Sequence, residues 1–459
     1  MSAFVVAQKL ILHRVLAASG RQLSTPFTLD PVSIPKDSTD PAVVQGLIDA
    51  AVAQAIRRSG DYETAFLLTP NQSLLFQEPA TSDEIAECEV GAVWAKLLQA
   101  IDLASWAAIS HNLIGFLYEA IVDADYRHAL GQHYTQENVV DLITTFSVPN
   151  KTSTVLDPAA GGGSFLRSAY GRKRDLQATH VDALAEVWGC EISSFAAELS
   201  TVTLATADAT APSSYPRVVI TDFFDLRPGQ ATSLEIPGAG APLQVPLEFD
   251  AVVGNPPYIS YRHQTNQERV LKALSDLPHE ITLPKLSGKS DEYAWFLIHA
   301  TRFLKEGGRL GFIVSSGVLF ADYGIPLIRF LARHHRVRAV IDSMVERWFT
   351  DADTNTVILL LERESDADLR SDTDIRFIRL RRPLSQLLPA PLTAERRGAL
   401  EDLVDDLLDS AGGDTDPRYT SVLVKQGQNG GLTFDPQPSD PAVIRIGEDD
   451  DLEDEDAAE

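Results

Sequence analysis

Thr154-Val155-Leu156-Asp157-Pro158-Ala159-Ala160-Gly161-Gly162-Gly163-Ser164-Phe165-Leu166 is the stretch on which the fold turns. A short β-rich run ends in an acid, three consecutive glycines follow, and a helical run begins. Glycines between a strand and a helix let backbone come close to a ligand, as a nucleotide-like cofactor requires. The pattern is neither the dinucleotide G-x-G-x-x-G fingerprint nor a G-x-x-x-x-G-K-[ST] phosphate loop. Taken alone, the glycines are also compatible with a tight connection.

Outward from this turn the same alternation repeats. Further β-rich runs are Glu186–Cys190, Arg217–Ile220, Phe249–Val253, Arg309–Val314, Val337–Ile341 and Thr356–Leu361, making seven candidate strands with helical segments between most of them. Strand–helix alternation predicts a mainly parallel sheet covered on both faces, with ligands at the carboxyl ends of its strands. From Pro41 to about Asp125 the apolar positions Val43, Val44, Leu47, Ile48, Ala51 and Val52 recur at helical spacing, and Ser82 can cap a second helical stretch. The expected organisation is a helical N-terminal domain over 1–125, an α/β domain over 126–364, a small extension over 365–446 and an acidic tail over 447–459. The extension contains a basic strand-like run from Ile375 to Arg382 and a helix near Ala394 to Leu408.

Composition narrows the class. The chain has 459 residues, 44% of them hydrophobic and 23% charged, the profile of a globular protein with room for two or three domains. Two cysteines, Cys88 and Cys190, exclude a disulfide scaffold and a four-thiolate zinc site, so no metal is expected. No secretory leader and no long apolar span is visible, which predicts a cytoplasmic protein without a membrane partner. The formal charge is −26. Nine acids among the last twelve residues supply nine of those charges, leaving −17 on the rest. Such a body does not bind a polyanion indiscriminately over its whole surface.

Polar residues stand where the strands end. Glu191 closes the second and can accept hydrogen bonds from ribose hydroxyls. Asp222 and Phe223 follow the third, an acceptor for an exocyclic amine beside an aromatic that can stack on a ring. Asn255-Pro256-Pro257-Tyr258 follows the fourth. Two prolines forbid helix and stiffen the backbone, so the Asn255 side-chain oxygen and the Pro256 carbonyl can point at one spot. That pair of acceptors suits an sp² amino group, localising its lone pair, while Tyr258 offers a face for a planar base.

This set resembles the S-adenosylmethionine-dependent amino-methyltransferases, and within them the gamma-class adenine-N6 DNA methyltransferases of restriction–modification and phage-defence systems. The resemblance covers about Ala129 to Arg363 and includes Gly131-Gln132-His133-Tyr134-Thr135 upstream of the glycine turn. In that family a G-x-x-x-T-P-like segment lies over the methionine part of the cofactor; Gln136 stands where proline is usual. The resemblance implies a class I methyltransferase fold with a Rossmann-like seven-stranded sheet. It implies Thr135, Asp157, Ala159, Gly161, Gly163, Phe165, Glu191, Asp222, Phe223 and Asn255 as contacts of S-adenosylmethionine, and Asn255, Pro256, Pro257 and Tyr258 as catalytic residues. Phe349, ahead of the strand Thr356–Leu361, becomes the aromatic on the other face of a flipped adenine. His133 is expected to be structural, and Arg262 and His263 to border the substrate groove.

The implied activity is site-specific methylation of adenine N6 in double-stranded DNA. The tetrapeptide alone also fits enzymes acting on RNA amines or a protein glutamine amide, and a non-catalytic scaffold of a defence complex is a further reading. Asparagine at the head of the motif favours adenine over cytosine N4. Only about 95 residues follow Glu364, fewer than a recognition domain needs. A catalytic subunit that works with a separate DNA-specificity subunit and other restriction or defence subunits is therefore expected. Two basic clusters, Arg329, Arg333, His334, His335, Arg336 and Arg338, and Arg376, Arg379, Arg381 and Arg382, either touch phosphate or balance neighbouring acids.

Overall fold

The computed structural model describes residues 135–205, 207, 215–234, 241–258, 267–286, 290–348, 355–391, 393, 395–427, 433–435 and 443–445, together with 10, 43, 46–50 and 96. The helical N-terminal region therefore lies almost entirely outside the described residues, although the few described there are helical. Gly131 to Tyr134, Arg262, His263, Phe349 and the acidic tail lie outside them as well.

The chain divides into two compact units. In the first, α2 (Ser164–Asp175), α3 (His180–Ala185), β2 (Val187–Glu191), α4 (Ser194–Ala205) and β3 (Arg217–Ile220) follow in order. β2 and β3 are parallel, with Glu191 opposite Ile220, as the α4 crossover between them requires. Thr179 caps α3 by accepting from the Asp182 amide. α2 and α4 pack against β2. Lys173 is wholly buried on α2 and paired with Glu186 at 2.6 Å.

The second unit holds α1 (Glu137–Ser147), β1 (Val155–Asp157), β4 (Phe249–Gly254), α5 (Gln267–Leu274), α6 (Glu292–Thr301), β5 (Leu304–Ser315), α7 (Gly324–His334), β6 (His335–Ser343), β7 (Thr356–Arg363), β8 (Asp374–Leu380), α8 (Arg396–Asp409) and β9 (Tyr419–Lys425). Its strands lie in the order β1-β4-β5-β7-β6-β8-β9. β1, β4 and β5 are mutually parallel.

All seven candidate strands of the sequence are strands here, but the sheet is mixed. β7 runs antiparallel between β5 and β6. The physical reason is the connection: no described helix lies between β6 and β7, so the chain returns beside the strand it has just left, whereas α7 carries β5 over to a parallel β6. The region read as an extension supplies β8, parallel to β6, then α8 and the edge strand β9, antiparallel to β8.

α1 buries Val139, Val140, Leu142, Ile143 and Phe146 against β4 and β5. Gly311 on β5 permits this approach, because a Cβ there would stand 2.6 Å from the Ile143 side chain. Arg396 at the start of α8 ties that helix to α1, donating to Asp141 at 2.6 and 3.0 Å and to Asn138 at 2.9 Å.

Candidate active site

In the second unit the carboxyl end of β1 carries Asp157, 1% exposed, whose Oδ1 accepts the Ala159 amide at 3.1 Å. This contact bends the chain into the glycine turn. The end of β4 is pressed against the same carboxylate, since a Cβ on Gly254 would come within 2.9 Å of Asp157 Oδ1. Asn255 follows at once. Its Nδ2 donates to the hydroxyl of buried Thr135 at 3.1 Å, so the methyltransferase-like segment before α1 and the Asn-Pro-Pro-Tyr segment meet although they lie 120 residues apart.

Pro256 is buried, and Asn255, Pro257 and Tyr258 are half-buried. Tyr258 donates its hydroxyl to the Ile313 carbonyl at 3.0 Å, and its ring meets Tyr293 edge-on. Burial pushes the Tyr258 phenol well above its ordinary value, so it offers a ring face rather than a titratable proton. Behind it the Tyr293 and Tyr323 hydroxyls share a hydrogen bond of 2.7 Å, and Tyr323 donates to Asp291 at 2.8 Å.

Phe223 opens a short 3₁₀ turn and is buried among Phe296, His299 and Phe303, with ring centroids 5.1, 4.6 and 5.5 Å away. His299 Nε2 lies 3.0 Å from the Phe223 carbonyl, holding in place the turn that follows Asp222. Burial, with Arg302 and Arg227 adding repulsion, pushes His299 down to about 3, so it is neutral at pH 7 and donates from Nε2.

In the first unit the glycine turn is built for close approach. Gly161 and Gly163 take φ of +51° and +88°, a left-handed backbone that favours glycine. A Cβ on Gly163 would stand 3.1 Å from the Ser200 Cα. Ser200 on α4 donates to the Gly161 carbonyl at 2.6 Å, and Thr203 donates to that of Gly162 at 3.3 Å. Glu191, 6% exposed, accepts the Gly161 amide on one oxygen and the Ser193 amide on the other, both at 2.8 Å. Burial raises its carboxyl above the usual range against these amides, which lower it. Phe165, in the first turn of α2, is buried.

Sequence reasoning did not single out the supports Ser200 and Thr203, which carry no motif and act through carbonyls. Ile192, directly after Glu191, is 68% exposed, which the sequence alone does not show.

Four of the ten residues in the basic clusters pair with acids. Arg336 and Arg338 both reach Glu362, Arg379 pairs with Asp342, and Arg381 with Asp414. His334 and His335 are buried and, through burial and nearby arginines, held below the ordinary histidine value. Arg329, Arg333 and Arg382 remain exposed. Among the described residues no group of His, Cys, Asp and Glu could hold a metal ion, and no helix is long and apolar enough to cross a membrane.

Parallel strands β1, β4 and β5, an antiparallel β7 beside them and a glycine turn after β1 define a class I S-adenosylmethionine-dependent methyltransferase fold of the kind found in restriction–modification systems. The chain belongs to the N-6 DNA methylase family, which matches residues 109–395. Among its relatives, the type II methyltransferase M.PaeR7I of Pseudomonas aeruginosa is 27% identical over 263 residues, 55% of this chain and 43% of the relative. The type II restriction enzyme and methyltransferase RM.Eco57I of Escherichia coli is 30% identical over 123 residues, 26% of this chain and 11% of the relative. The chain thus spans less than half the length of these curated relatives. The methyltransferase subunit of a type I restriction–modification system from Streptococcus thermophilus shares the fold with a TM-score of 0.55 at 16% identity, over 92% of this chain and 90% of that one.

Proposed function

We propose that this chain transfers a methyl group from S-adenosylmethionine to N6 of an adenine turned out of double-stranded DNA, as the catalytic subunit of a restriction–modification or phage-defence complex. The observation that carries the proposal is the Asn255 carboxamide, bonded through Nδ2 to Thr135 at the head of a segment stiffened by Pro256 and Pro257. Oδ1, at the other end of the carboxamide from the Thr135 bond, is the acceptor this reading assigns to the amine. An amide oxygen and the Pro256 carbonyl can each take one N–H of an exocyclic amine, which concentrates the nitrogen lone pair. Tyr258, tethered through its hydroxyl, presents its ring to the base.

The residues present fit the cofactor. The left-handed glycines would be filled by any Cβ, and the buried Glu191 carboxylate retains acceptor capacity beyond its two amide bonds. Thr135, Asp157, Ala159, Gly161, Gly163, Phe165, Glu191, Asp222, Phe223 and Asn255 would hold it. When bound, it supplies an electrophilic methyl on a sulfonium. The chain's own residues orient the amine, exclude water and polarise the nitrogen. No general base is required, because the proton can leave to solvent after attack, and orientation supplies most of the rate. Phe349 is proposed as the second aromatic wall.

A separate specificity subunit is part of the reading. The pairing of Arg336, Arg338, Arg379 and Arg381 with acids, on a body that is itself acidic, supports phosphate contacts supplied by another polypeptide. The test is labelled methyl transfer to unmethylated DNA, with and without the products of neighbouring genes, followed by nucleoside analysis. Label in N6-methyladenine that depends on a neighbour supports the proposal. Stoichiometric methylation of a unique site by the purified chain alone rules out the separate subunit.

A further inference from the structure

Thr135 and Gln136 sit at the entrance to α1 and make two contacts that secondary structure does not demand. Gln136 is the N-cap of the helix, and its backbone carbonyl accepts the Val139 and Val140 amides at 2.9 and 3.1 Å. Its side chain makes no capping bond. Instead Nε2 reaches the Arg347 carbonyl at 3.1 Å, in the loop after β6. That loop is itself fixed: Trp348 is buried and donates to Glu346 at 3.2 Å, and the same Glu346 oxygen accepts the Leu384 amide at 2.9 Å. One residue earlier, the Thr135 hydroxyl receives Asn255 Nδ2. Helix, loop and catalytic amide therefore converge on two adjacent residues.

We propose that Thr135 and Gln136 are positioning residues for the transfer step. The Thr135 hydroxyl anchors the Asn255 carboxamide in place and plane beside the acceptor amine, and the Gln136–Arg347 bond fixes where that hydroxyl stands. The inference rests on the reading of Asn255 as the residue that binds the amine. A carboxamide is nearly symmetric in shape but opposite in polarity at its two ends. Rotated by half a turn it would present an N–H donor to an amine that is also a donor, and both groups would lose a bond. A hydroxyl can accept from Nδ2 or donate to Oδ1, so the bond to Thr135 holds the amide's place and plane, with Nδ2 as the bonded end in the structure, before substrate arrives; that is preorganisation rather than added binding. A threonine that served only the cofactor would have no need of this bond, and a glutamine that served only the helix would have no need to reach Arg347.

The test compares Thr135→Val, Thr135→Ser and Gln136→Leu with wild type and Asn255→Ala, using the full chain with whatever partner methylation requires. Single-turnover methylation is read at saturating S-adenosylmethionine and DNA, and cofactor affinity separately by calorimetry. Losing one hydrogen bond in the transition state predicts a Thr135→Val rate about tenfold or more below wild type, a loss that saturating cofactor does not restore. Thr135→Ser should recover most of the rate, and Gln136→Leu should lose less than Thr135→Val in the same sense. A Thr135→Val enzyme that binds cofactor poorly yet turns over normally at saturation overturns the inference, as does a serine variant no better than valine.

A readout without activity separates this inference from the function it rests on. In protein labelled with ¹⁵N-asparagine, the side-chain amide pair missing from Asn255→Ala belongs to Asn255. That pair must move in Thr135→Val in the absence of any substrate. If wild type labels no adenine but the pair moves, the contact stands and the assigned reaction falls; if it stays in place, the positioning role falls whatever the activity.

Discussion

Replacing Gly254 by alanine tests how the strand leading into the Asn-Pro-Pro-Tyr segment is seated on Asp157. The added Cβ would stand 2.9 Å from Asp157 Oδ1 and 3.4 Å from Pro158 Cδ. Ordinary contact begins near 3.4 Å, so the carboxylate must retreat by about half an ångström. A surface aspartate would swing away at little cost. Asp157 cannot, because it is 1% exposed and its Oδ1 holds the Ala159 amide. Overpacking of this kind costs about 1–3 kcal/mol. The displaced carboxylate also drags the Ala159 amide it holds, and cofactor binding, in which the resemblance places both residues, should weaken with it. Denaturant unfolding reads the first quantity and titration calorimetry with S-adenosylmethionine the second. Gly171→Ala is the matched control: it lies within α2 with nothing within 4 Å of its added Cβ, and should be neutral or stabilising by about 0.5–1 kcal/mol. A Gly254→Ala protein as stable as wild type, with unchanged cofactor affinity, would refute the reasoning.

Other outcomes follow from the same geometry. Tyr258→Phe keeps the ring and loses only its tether to Ile313, so it should retain most activity at a stability cost of about 1 kcal/mol, whereas Tyr258→Ala should lose activity by on the order of a hundredfold; equal losses in the two would show that the hydroxyl, not the face, matters. His299 is buried and lowered to about 3 against an unfolded value near 6.5, so the unfolded chain binds the extra proton between those values. Its stabilisation is complete above about pH 6.5 and declines as pH falls, by about 2 kcal/mol at pH 5. Urea midpoints that stay level from pH 7 to 5 would contradict it. Arg396→Ala removes the bonds from α8 to Asp141 and Asn138 and should cost about 2–3 kcal/mol, read as a shifted unfolding midpoint.

The strands of the fold were legible because β-branched runs and Gly or Pro punctuation mark them one by one. Their directions were not, since a run such as Thr356–Leu361 reads the same both ways and only the missing crossover helix sets β7 antiparallel. β9 was missed because Tyr419–Lys425 is an edge strand in which only Tyr419 and Ser421 are buried, which leaves little apolar pattern to mark it. Asn255, Glu191 and the glycines could be picked out because each stands at a strand's carboxyl end. What sequence could not show is who meets whom. Thr135 meets Asn255, and Gln136 meets Arg347, across 120 and 211 residues. The same holds for the basic clusters, whose partners Glu362, Asp342 and Asp414 are assembled only by the sheet.

The central claim is that Asn255 binds an adenine amine for methyl transfer, and one measurement addresses it most directly. Wild type and Asn255→Ala are each incubated with methyl-labelled S-adenosylmethionine and unmethylated DNA, with and without neighbouring gene products, and the DNA is digested to nucleosides. The account predicts label in N6-methyladenine from wild type and a loss of at least about a hundredfold in the variant at saturating cofactor. Cofactor binding without labelled DNA under any partner condition, or equal labelling by the two proteins, would contradict it.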